Sequence, residues 1–158
     1  MAGGLVAIDT NVLVWGVRRH GPPEMLRRAE WLFKQFAEDK SEIIVPTVAL
    51  TEYIRPYNTS EARAEIIVTF EERFLVMPFD TKCAELAARL FRAGQDHREM
   101  NAEGSRNQLN ADSLIIATAA SNGADYIYSN NADFRRLAEV HKRWIVSDLP
   151  DAPRDLFA

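Results

Sequence analysis

Five short apolar segments alternate with longer segments of helical pattern along this 158-residue chain. Each apolar segment has the length of a strand and is too short for a typical helix. They occupy residues 5–9, 42–45, 74–79, 125–128 and 144–146. Strands separated by helices predict a parallel sheet with right-handed crossover connections. The chain is therefore expected to be an α/β protein with a central, mainly parallel sheet of about five strands.

The segments between the strands carry apolar residues at helical spacing. Helices are expected over residues 11–17, 23–37, 47–55, 60–72, 80–92, 109–121 and 133–140. Residues 97–107 are polar and contain a glycine, so they are expected to form an exposed loop. The length suits one domain, which we place at residues 1–150, with residues 151–158 as an irregular tail.

Composition excludes several classes of protein. Cys83 is the single cysteine, which excludes an internal disulfide and a multi-cysteine metal site and fits a reducing cytosol. We find no signal-peptide pattern and no apolar run near the roughly 18 residues of a membrane helix. A cytoplasmic protein without a membrane partner is therefore expected. The net charge of -4 argues against binding nucleic acid through overall charge.

Polar residues follow several predicted strands or lie early in the next helix. They are Asp9, Glu52, Asp112 and the segment SNNADF at residues 129–134. Ligands bind parallel sheets outside the carboxyl ends of the strands. These side chains are therefore expected at one edge of the sheet.

Each of these residues also has a purely structural interpretation. Asp9 suits the N-cap of the following helix, and either Asn130 or Asn131 suits the cap of a later one, with Asp133 in its first turn. Glu52 has the spacing for a surface pair with Arg55. Asp112 would be favoured near the start of its helix by the helix dipole.

The helical register of Asp112 argues for more than a structural role. Ile115, Ile116 and Ala119 lie on the same stripe, so the carboxylate shares an apolar face and must be paired, protonated or bound to a cation. Several carboxylates without basic partners repel one another, and a divalent cation relieves that repulsion. Ligation by oxygen, without histidine or cysteine, is typical of Mg²⁺ or Mn²⁺.

Four motifs in order resemble those of the PIN-domain ribonucleases, most closely the VapC-type toxins of toxin–antitoxin pairs. They are the D-T-N after the first strand, the Glu within VPTVALTEYI, the helix NADSLIIATAA and the ending SNNADF. The resemblance covers nearly the whole chain. It implies a three-layer α/β/α PIN-like fold around the parallel sheet.

The resemblance also implies a set of site residues. Asp9, Glu52 and Asp112 match the family's first three metal-binding acids, which would hold one or two Mg²⁺ or Mn²⁺ ions and act in catalysis. The fourth acidic slot holds Asn131, which offers a neutral oxygen, and Asp133 follows as a further catalytic or metal-binding candidate. Supporting roles fall to Asn11, which would orient Asp9 or a water, to Ser129 and to Asn131.

The implied activity is metal-dependent endoribonuclease cleavage of RNA that leaves 5′-phosphate and 3′-hydroxyl ends. A toxin of this kind implies a small antitoxin protein and a homodimer. Trp15, Trp31 and Phe36 are candidates for the surface that an antitoxin or a second copy would cover, although core packing is favoured for Phe36. Arg18, Arg106 and Arg135 are candidates for contacts to RNA phosphates.

Two other functional classes stay open at this stage. A PIN-like binding or scaffold protein without nuclease activity is favoured by Asn131 in an acidic slot and disfavoured by the three remaining acids. A phosphotransferase with Asp9 as covalent nucleophile would normally have an acid two positions later, where this chain has Asn11.

Overall fold

The computed structural model describes residues 3–96, 103–138 and 145–154. The strands are β1 (Leu5–Ile8), β2 (Glu42–Pro46), β3 (Leu75–Met77), β4 (Tyr126–Tyr128) and β5 (Ile145–Ser147). The helices are α1 (Thr10–Leu13), α2 (Pro23–Asp39), α3 (Thr47–Ile54), α4 (Ser60–Arg73), α5 (Thr81–Asp96), α6 (Glu103–Ser121) and α7 (Ala132–Ala138). A π-helical segment, Val14–Arg18, continues α1.

All five strands are parallel and lie in the order β3-β2-β1-β4-β5. The chain moves outward from β1 to β2 and β3, then returns to place β4 and β5 on the other side of β1. The α/β class and the parallel five-stranded sheet expected from the sequence are confirmed. Because the direction of winding reverses at β1, a crevice is expected outside the carboxyl end of this strand.

Helices cover both faces of the sheet. By the right-handed rule, the connections that move outward and those that return lie on opposite faces of the sheet. Helices α3 and α6 nevertheless contact each other. Among the returning helices, α5, α6 and α7 pack against one another. The core between these layers is apolar, and its largest buried side chains include Phe70, Phe134 and Ile116.

The start of α6 differs from the sequence-based expectation. Residues 103–107 were expected in a loop and instead form the first turns of α6, while residues 97–102 lie outside the described part of the chain. The polar side chains of Arg106, Asn107 and Gln108 are exposed on this helix, so their polarity marks its solvent face. A glycine within a helix, such as Gly104, lowers helix stability by about 1 kcal/mol relative to alanine. The packing of α6 against α5 offsets this loss.

Two further expectations need correction. Strand β3 is shorter than residues 74–79, because Phe74 is the C-cap of α4 and Pro78 has no N–H for the ladder. Trp15 does not offer a docking surface, since it is buried in the core, whereas Trp31 is half-buried. The core packing favoured for Phe36 is confirmed. No helix among the described residues has the length and apolar character needed to span a membrane.

Arg28 of α2 holds the segment that follows β5. Its guanidinium donates to the carbonyls of Leu149 and Pro150. It also lies 3.5 Å from a carboxylate oxygen of Asp148 and 3.7 Å from one of Asp151. Arg28 therefore fastens the chain after the edge strand to the helical layer.

Replacing Arg28 by Met should destabilise the protein by about 2 kcal/mol, because two carbonyls would lose charge-assisted hydrogen bonds. Chemical denaturation of Arg28→Met against wild type measures this loss. Arg27→Met is the matched control, since Arg27 is exposed and its pair with Glu24, at 3.4 Å, lies at the surface. Equal stability of the two variants would contradict the role given to Arg28.

Candidate functional site

Asp9 lies directly after β1, at the point where the winding of the sheet reverses. Its backbone N–H donates to the carbonyl of Tyr128 at 3.0 Å, which extends the pairing of β1 with β4. The residue is buried, with 7% of its surface exposed. Asp9 is also the N-cap of α1, and its Oδ1 accepts a hydrogen bond from the Thr10 N–H at 2.7 Å. The capping interpretation is thus confirmed, and a ligand role is compatible with it.

Ser129 follows the neighbouring strand β4 and holds the other oxygen of Asp9. Its buried hydroxyl donates to Asp9 Oδ2 at 2.9 Å. The same hydroxyl oxygen accepts from the Asn131 N–H at 3.1 Å. The supporting role that the resemblance implies for Ser129 is a hydrogen bond to an acidic ligand or a water, and the bond to Asp9 is present.

Glu52 of α3 reaches the same region from the opposite side of β1. Its Oε1 accepts a hydrogen bond from the hydroxyl of Thr10 at 3.0 Å. Its Oε2 lies 3.9 Å from a guanidinium nitrogen of Arg55, whose side chain is 72% exposed. The expected surface pair of Glu52 with Arg55 is therefore present, but an exposed pair of this length contributes little to stability.

Burial and a neighbouring acid raise the pKa of Asp9 from 3.8 to about 6. Desolvation is the largest cause, and the negative charge of Glu52 adds to it. Hydrogen bonds from Ser129 and Thr10 act in the opposite direction and lower the pKa. No basic side chain in the described part of the chain is among the groups that shift it. Asp9 and Glu52 therefore form a pair of adjacent acids whose charges repel.

Replacing Ser129 by Ala should raise the pKa of Asp9 further, because the carboxylate loses a hydrogen bond that favours its charged form. The pH at which Mn²⁺ binding reaches half its maximal strength should then move upward. A binding titration at several pH values measures this midpoint. Ser113→Ala is the matched control, since that buried hydroxyl donates to the helical carbonyl of Leu109. An unchanged midpoint in Ser129→Ala would contradict the role of Ser129.

Asp112 is buried in the middle of α6, with 2% of its surface exposed. Ile115, Ile116 and Ala119 are equally buried, so the apolar stripe expected from the sequence is present. The interpretation of Asp112 as a residue at the helix start is wrong, because α6 begins nine residues earlier at Glu103. Gln108, one turn earlier, donates to Asp112 Oδ1 at 2.7 Å. Helix α6 packs against α3, the helix that carries Glu52.

The segment after β4 caps helix α7. Asn131 Oδ1 accepts a hydrogen bond from the Asp133 N–H at 2.9 Å, so of the two asparagines Asn131 is the cap. Asp133 lies in the first turn of α7, where its side chain is 40% exposed and sits 3.5 Å from the guanidinium of Arg136. The side-chain oxygen of Asn131, in the fourth acidic slot, thus accepts a capping hydrogen bond from α7.

Asn11 and the three arginines occupy distinct environments. Asn11 is exposed on α1, and the hydrogen bonds to the carboxylate of Asp9 come from Thr10 and Ser129. Arg18 donates to the Tyr57 hydroxyl at 3.2 Å and to the carbonyl of Tyr53, and its guanidinium stacks on both rings. Arg106 and Arg135 are exposed, on α6 and α7. RNA contact stays a prediction for all three arginines, and Arg18 has the least freedom to provide it.

The donor atoms around Asp9 have the chemistry that a hard divalent cation requires. Carboxylates and hydroxyls are oxygen ligands, which Mg²⁺ and Mn²⁺ prefer. Within residues 3–96, 103–138 and 145–154, no three Asp, Glu, His or Cys side chains form a ready-made metal cluster. The structure thus joins Asp9 to Glu52 through Thr10 and places Asp112 and Asp133 on other helices. The role of each acid stays a prediction.

Two polar residues at this site did not stand out in the sequence. Thr10 was seen only as part of the D-T-N motif, and its link to Glu52 spans 42 residues. Gln108 lay between the predicted loop and the predicted helix, although its position four residues before Asp112 is the spacing of helical neighbours. Recognising the early start of α6 would have revealed Gln108, whereas Thr10 required the fold.

Similarity to solved structures extends over nearly the whole chain. VapBC2 from Rickettsia felis bound to a DNA fragment from its promoter matches with a TM-score of 0.62 and 19% identity, over 92% of this chain and 99% of that one. DNA-bound VapBC from Salmonella typhimurium matches with a TM-score of 0.60 and 18% identity, over 93% of this chain and 99% of that one. FitAcB from Neisseria gonorrhoeae matches with a TM-score of 0.55 and 18% identity, over 92% of this chain and 96% of that one. At these identities the likeness establishes the fold.

A family model identifies the chain more directly. No curated protein sequence matches it. The PIN domain model, however, matches residues 6–140, a span that contains Asp9, Glu52, Asp112 and Asp133. By this match, which covers most of the sequence, the chain belongs to the PIN domain family.

Proposed function

We propose that this protein is a metal-dependent endoribonuclease that hydrolyses RNA phosphodiester bonds at the carboxyl end of β1. PIN domains as a family are nucleases, which supports hydrolysis as the reaction class. The single observation that carries the proposal is the pair formed by Asp9 and Glu52. Asp9 is buried beside a second acid and its pKa is raised to about 6, which is typical of functional sites and supports a role of both acids as cation ligands.

The proximity of the Asp9 and Glu52 carboxylates is unfavourable without a cation, and a bound cation would make it favourable. Two adjacent acids repel, and the fold nevertheless fixes both with hydrogen bonds from Thr10 and Ser129. Such repulsion between acids is typical of functional sites, where a bound cation relieves it. Asp9, Glu52 and Asp112 would hold the ion, with Asp133 or Asn131 as a further ligand.

When bound, Mg²⁺ or Mn²⁺ lowers the pKa of water and stabilises the charge that develops on the phosphate. The residues of the chain prepare the place for this chemistry. Ser129 and Thr10 favour the ionised form of Asp9 at neutral pH, since their hydrogen bonds lower its pKa. The burial of Asp9 keeps most water away from its carboxylate.

RNA would approach the exposed rim of the site. Arg106 and Arg135 are exposed on the helices that carry Asp112 and Asp133, so we infer that they contact phosphates there. Such contacts position the strand without reading its sequence. A single-stranded loop is the expected substrate, because its phosphates and bases are accessible to a sheet-edge crevice.

Cleavage of matched RNA and DNA oligonucleotides tests the proposal. With Mg²⁺ or Mn²⁺ the purified protein should cut internal bonds of the RNA, leaving 5′-phosphate and 3′-hydroxyl ends. Excess chelator should stop the reaction, and added Mn²⁺ should restore it. Cleavage that continues in chelator, or equal cutting of DNA, would contradict the proposal.

We further propose a small antitoxin protein as partner and a homodimer as the assembly. The structures similar in fold include VapBC and FitAcB complexes, which supports a toxin of this type. A free ribonuclease would damage its own cell, so an inhibitor is needed. Co-purification with the product of an adjacent gene, followed by loss of RNA cleavage in the complex, is the expected result. A monomer that no neighbouring gene product inhibits would contradict both.

A PIN-like scaffold without nuclease activity is the second candidate. The observation that favours it is the absence, among the residues described, of three clustered ligands for a metal, together with Asn131 in the fourth acidic slot. A scaffold predicts neither cleavage nor stabilisation by Mn²⁺. The oligonucleotide assay therefore separates the two candidates.

A further inference from the structure

Thr10 contacts both acids of the candidate site. Its backbone N–H donates to Asp9 Oδ1 at 2.7 Å, and its side-chain hydroxyl donates to Glu52 Oε1 at 3.0 Å. Asp9 ends a strand and Glu52 lies on α3, so these two carboxylates come from segments far apart in the sequence. We propose that Thr10 is a positioning residue whose hydroxyl holds Glu52 beside Asp9 for shared binding of a divalent cation. This inference rests on the proposed function.

The need for such a contact follows from the charges. Glu52 and Asp9 repel, since the charge of Glu52 raises the pKa of Asp9. A glutamate has three side-chain torsions and would turn away from a like charge toward solvent, which 25% of this side chain already reaches. A hydrogen bond from a hydroxyl to a carboxylate is charge-assisted and opposes that rotation.

The other contact of Glu52 is its ion pair with Arg55, three residues later in the chain. Arg55 lies 3.9 Å from Oε2 and is exposed, so this pair is weak, and it joins Glu52 only to a side chain of the same segment. The Thr10 hydroxyl binds the opposite oxygen and comes from α1, next to Asp9. Of these two contacts, the bond from Thr10 is the one that couples the position of Glu52 to that of Asp9.

Threonine is well suited to this task. Its branched Cβ restricts the first side-chain torsion, so the hydroxyl has few directions available. Thr10 is the first residue of α1, where Asp9 as N-cap fixes the backbone. The direction of the hydroxyl is therefore set by the same cap that orients Asp9.

Thr10→Val tests the inference, because valine keeps the shape and the backbone N–H and removes only the hydroxyl. Mn²⁺ affinity, measured by calorimetry, should fall about tenfold to a hundredfold, the usual loss when a residue supporting a metal ligand is removed. Thr10→Ser restores the hydroxyl and should return affinity to within about threefold of wild type.

Thr51→Val is the matched control. Thr51 is exposed beside Glu52 on α3, and its hydroxyl donates to the carbonyl of Thr47 at 2.9 Å. This variant should bind Mn²⁺ as wild type does. Thermal unfolding of all three variants without metal confirms that each is folded before affinities are compared.

The outcomes separate this inference from the proposed function. If wild type binds Mn²⁺ and Thr10→Val binds it equally well, Thr10 has no positioning role, although the nuclease proposal survives. A Thr10→Ser variant as weak as Thr10→Val would also overturn the inference, because the restored hydroxyl should rescue binding. Wild type that neither binds Mn²⁺ nor cleaves RNA would overturn the proposed function itself.

Discussion

Asp9→Asn should abolish RNA cleavage and at the same time stabilise the metal-free protein. We expect cleavage to fall at least about 1,000-fold, equivalent to about 4 kcal/mol of transition-state stabilisation. A neutral amide cannot supply the charge that holds the cation. Single-turnover cleavage rates at saturating Mn²⁺ measure this loss.

The gain in stability follows from the raised pKa of Asp9. An acid whose pKa is about 6 when folded and 3.8 when unfolded opposes folding at pH 8 and ceases to do so as the pH falls toward 4. The shift corresponds to about 3 kcal/mol at 1.36 kcal/mol per pH unit. Asp9→Asn should therefore be up to about 3 kcal/mol more stable than wild type at pH 8, with most of the difference lost at pH 4, close to the unfolded pKa of 3.8.

Asparagine also fits the hydrogen bonds of this position. Its Oδ1 can accept from the Thr10 N–H, while its amide donates to the Ser129 hydroxyl oxygen, which can rotate its own hydrogen away. Urea denaturation at pH 4 and pH 8 measures the difference. Asp125→Asn, at an exposed aspartate, is the control and should change stability little. Lower stability of Asp9→Asn at pH 8 would contradict the raised pKa of Asp9, whose largest cause is burial.

Divalent cations should stabilise the wild-type protein against heat. A ligand that binds only the folded state adds about 2.7 kcal/mol when present at 100 times its dissociation constant. For a domain of this size that is a rise of roughly 5–10 °C in Tm. Asp9→Asn should show little or no rise. The comparison requires only thermal unfolding with Mn²⁺ and with chelator.

The stabilisation by Mn²⁺ should depend on pH in a defined direction. Binding requires the ionised form of Asp9, so a proton must leave whenever the pH lies below its pKa of about 6. Affinity should therefore rise about tenfold per pH unit up to that value and level off above it. An affinity that is the same at pH 5 and pH 7 would show that Asp9 is not a ligand.

The sequence predicted the order and class of the elements because apolar periodicity is local. Residues 42–45 and 47–55 were read from spacing alone, and β2 and α3 lie there. The buried stripe that contains Asp112 could also be predicted, since its four residues recur at the spacing of one helix face. These features depend on neighbours within two turns of the chain.

Features that depend on distant contacts could not be read. The early start of α6 rests on packing against α5, and polar residues 103–107 carried a local pattern typical of a loop. The link from Thr10 to Glu52 joins two segments that only the sheet brings together. The alternative roles of Asp9 were likewise not exclusive, because one carboxylate both caps α1 and accepts from Ser129.

The central claim is that the Asp9 site holds the cation on which RNA cleavage depends. Its most direct test measures Mn²⁺ binding and RNA cleavage over the same range of Mn²⁺ concentrations, in wild type and in Asp9→Asn. The two wild-type curves should saturate together, and both should be lost in Asp9→Asn. Cleavage by Asp9→Asn at the wild-type rate, or wild-type cleavage that does not follow Mn²⁺ occupancy, would contradict the claim.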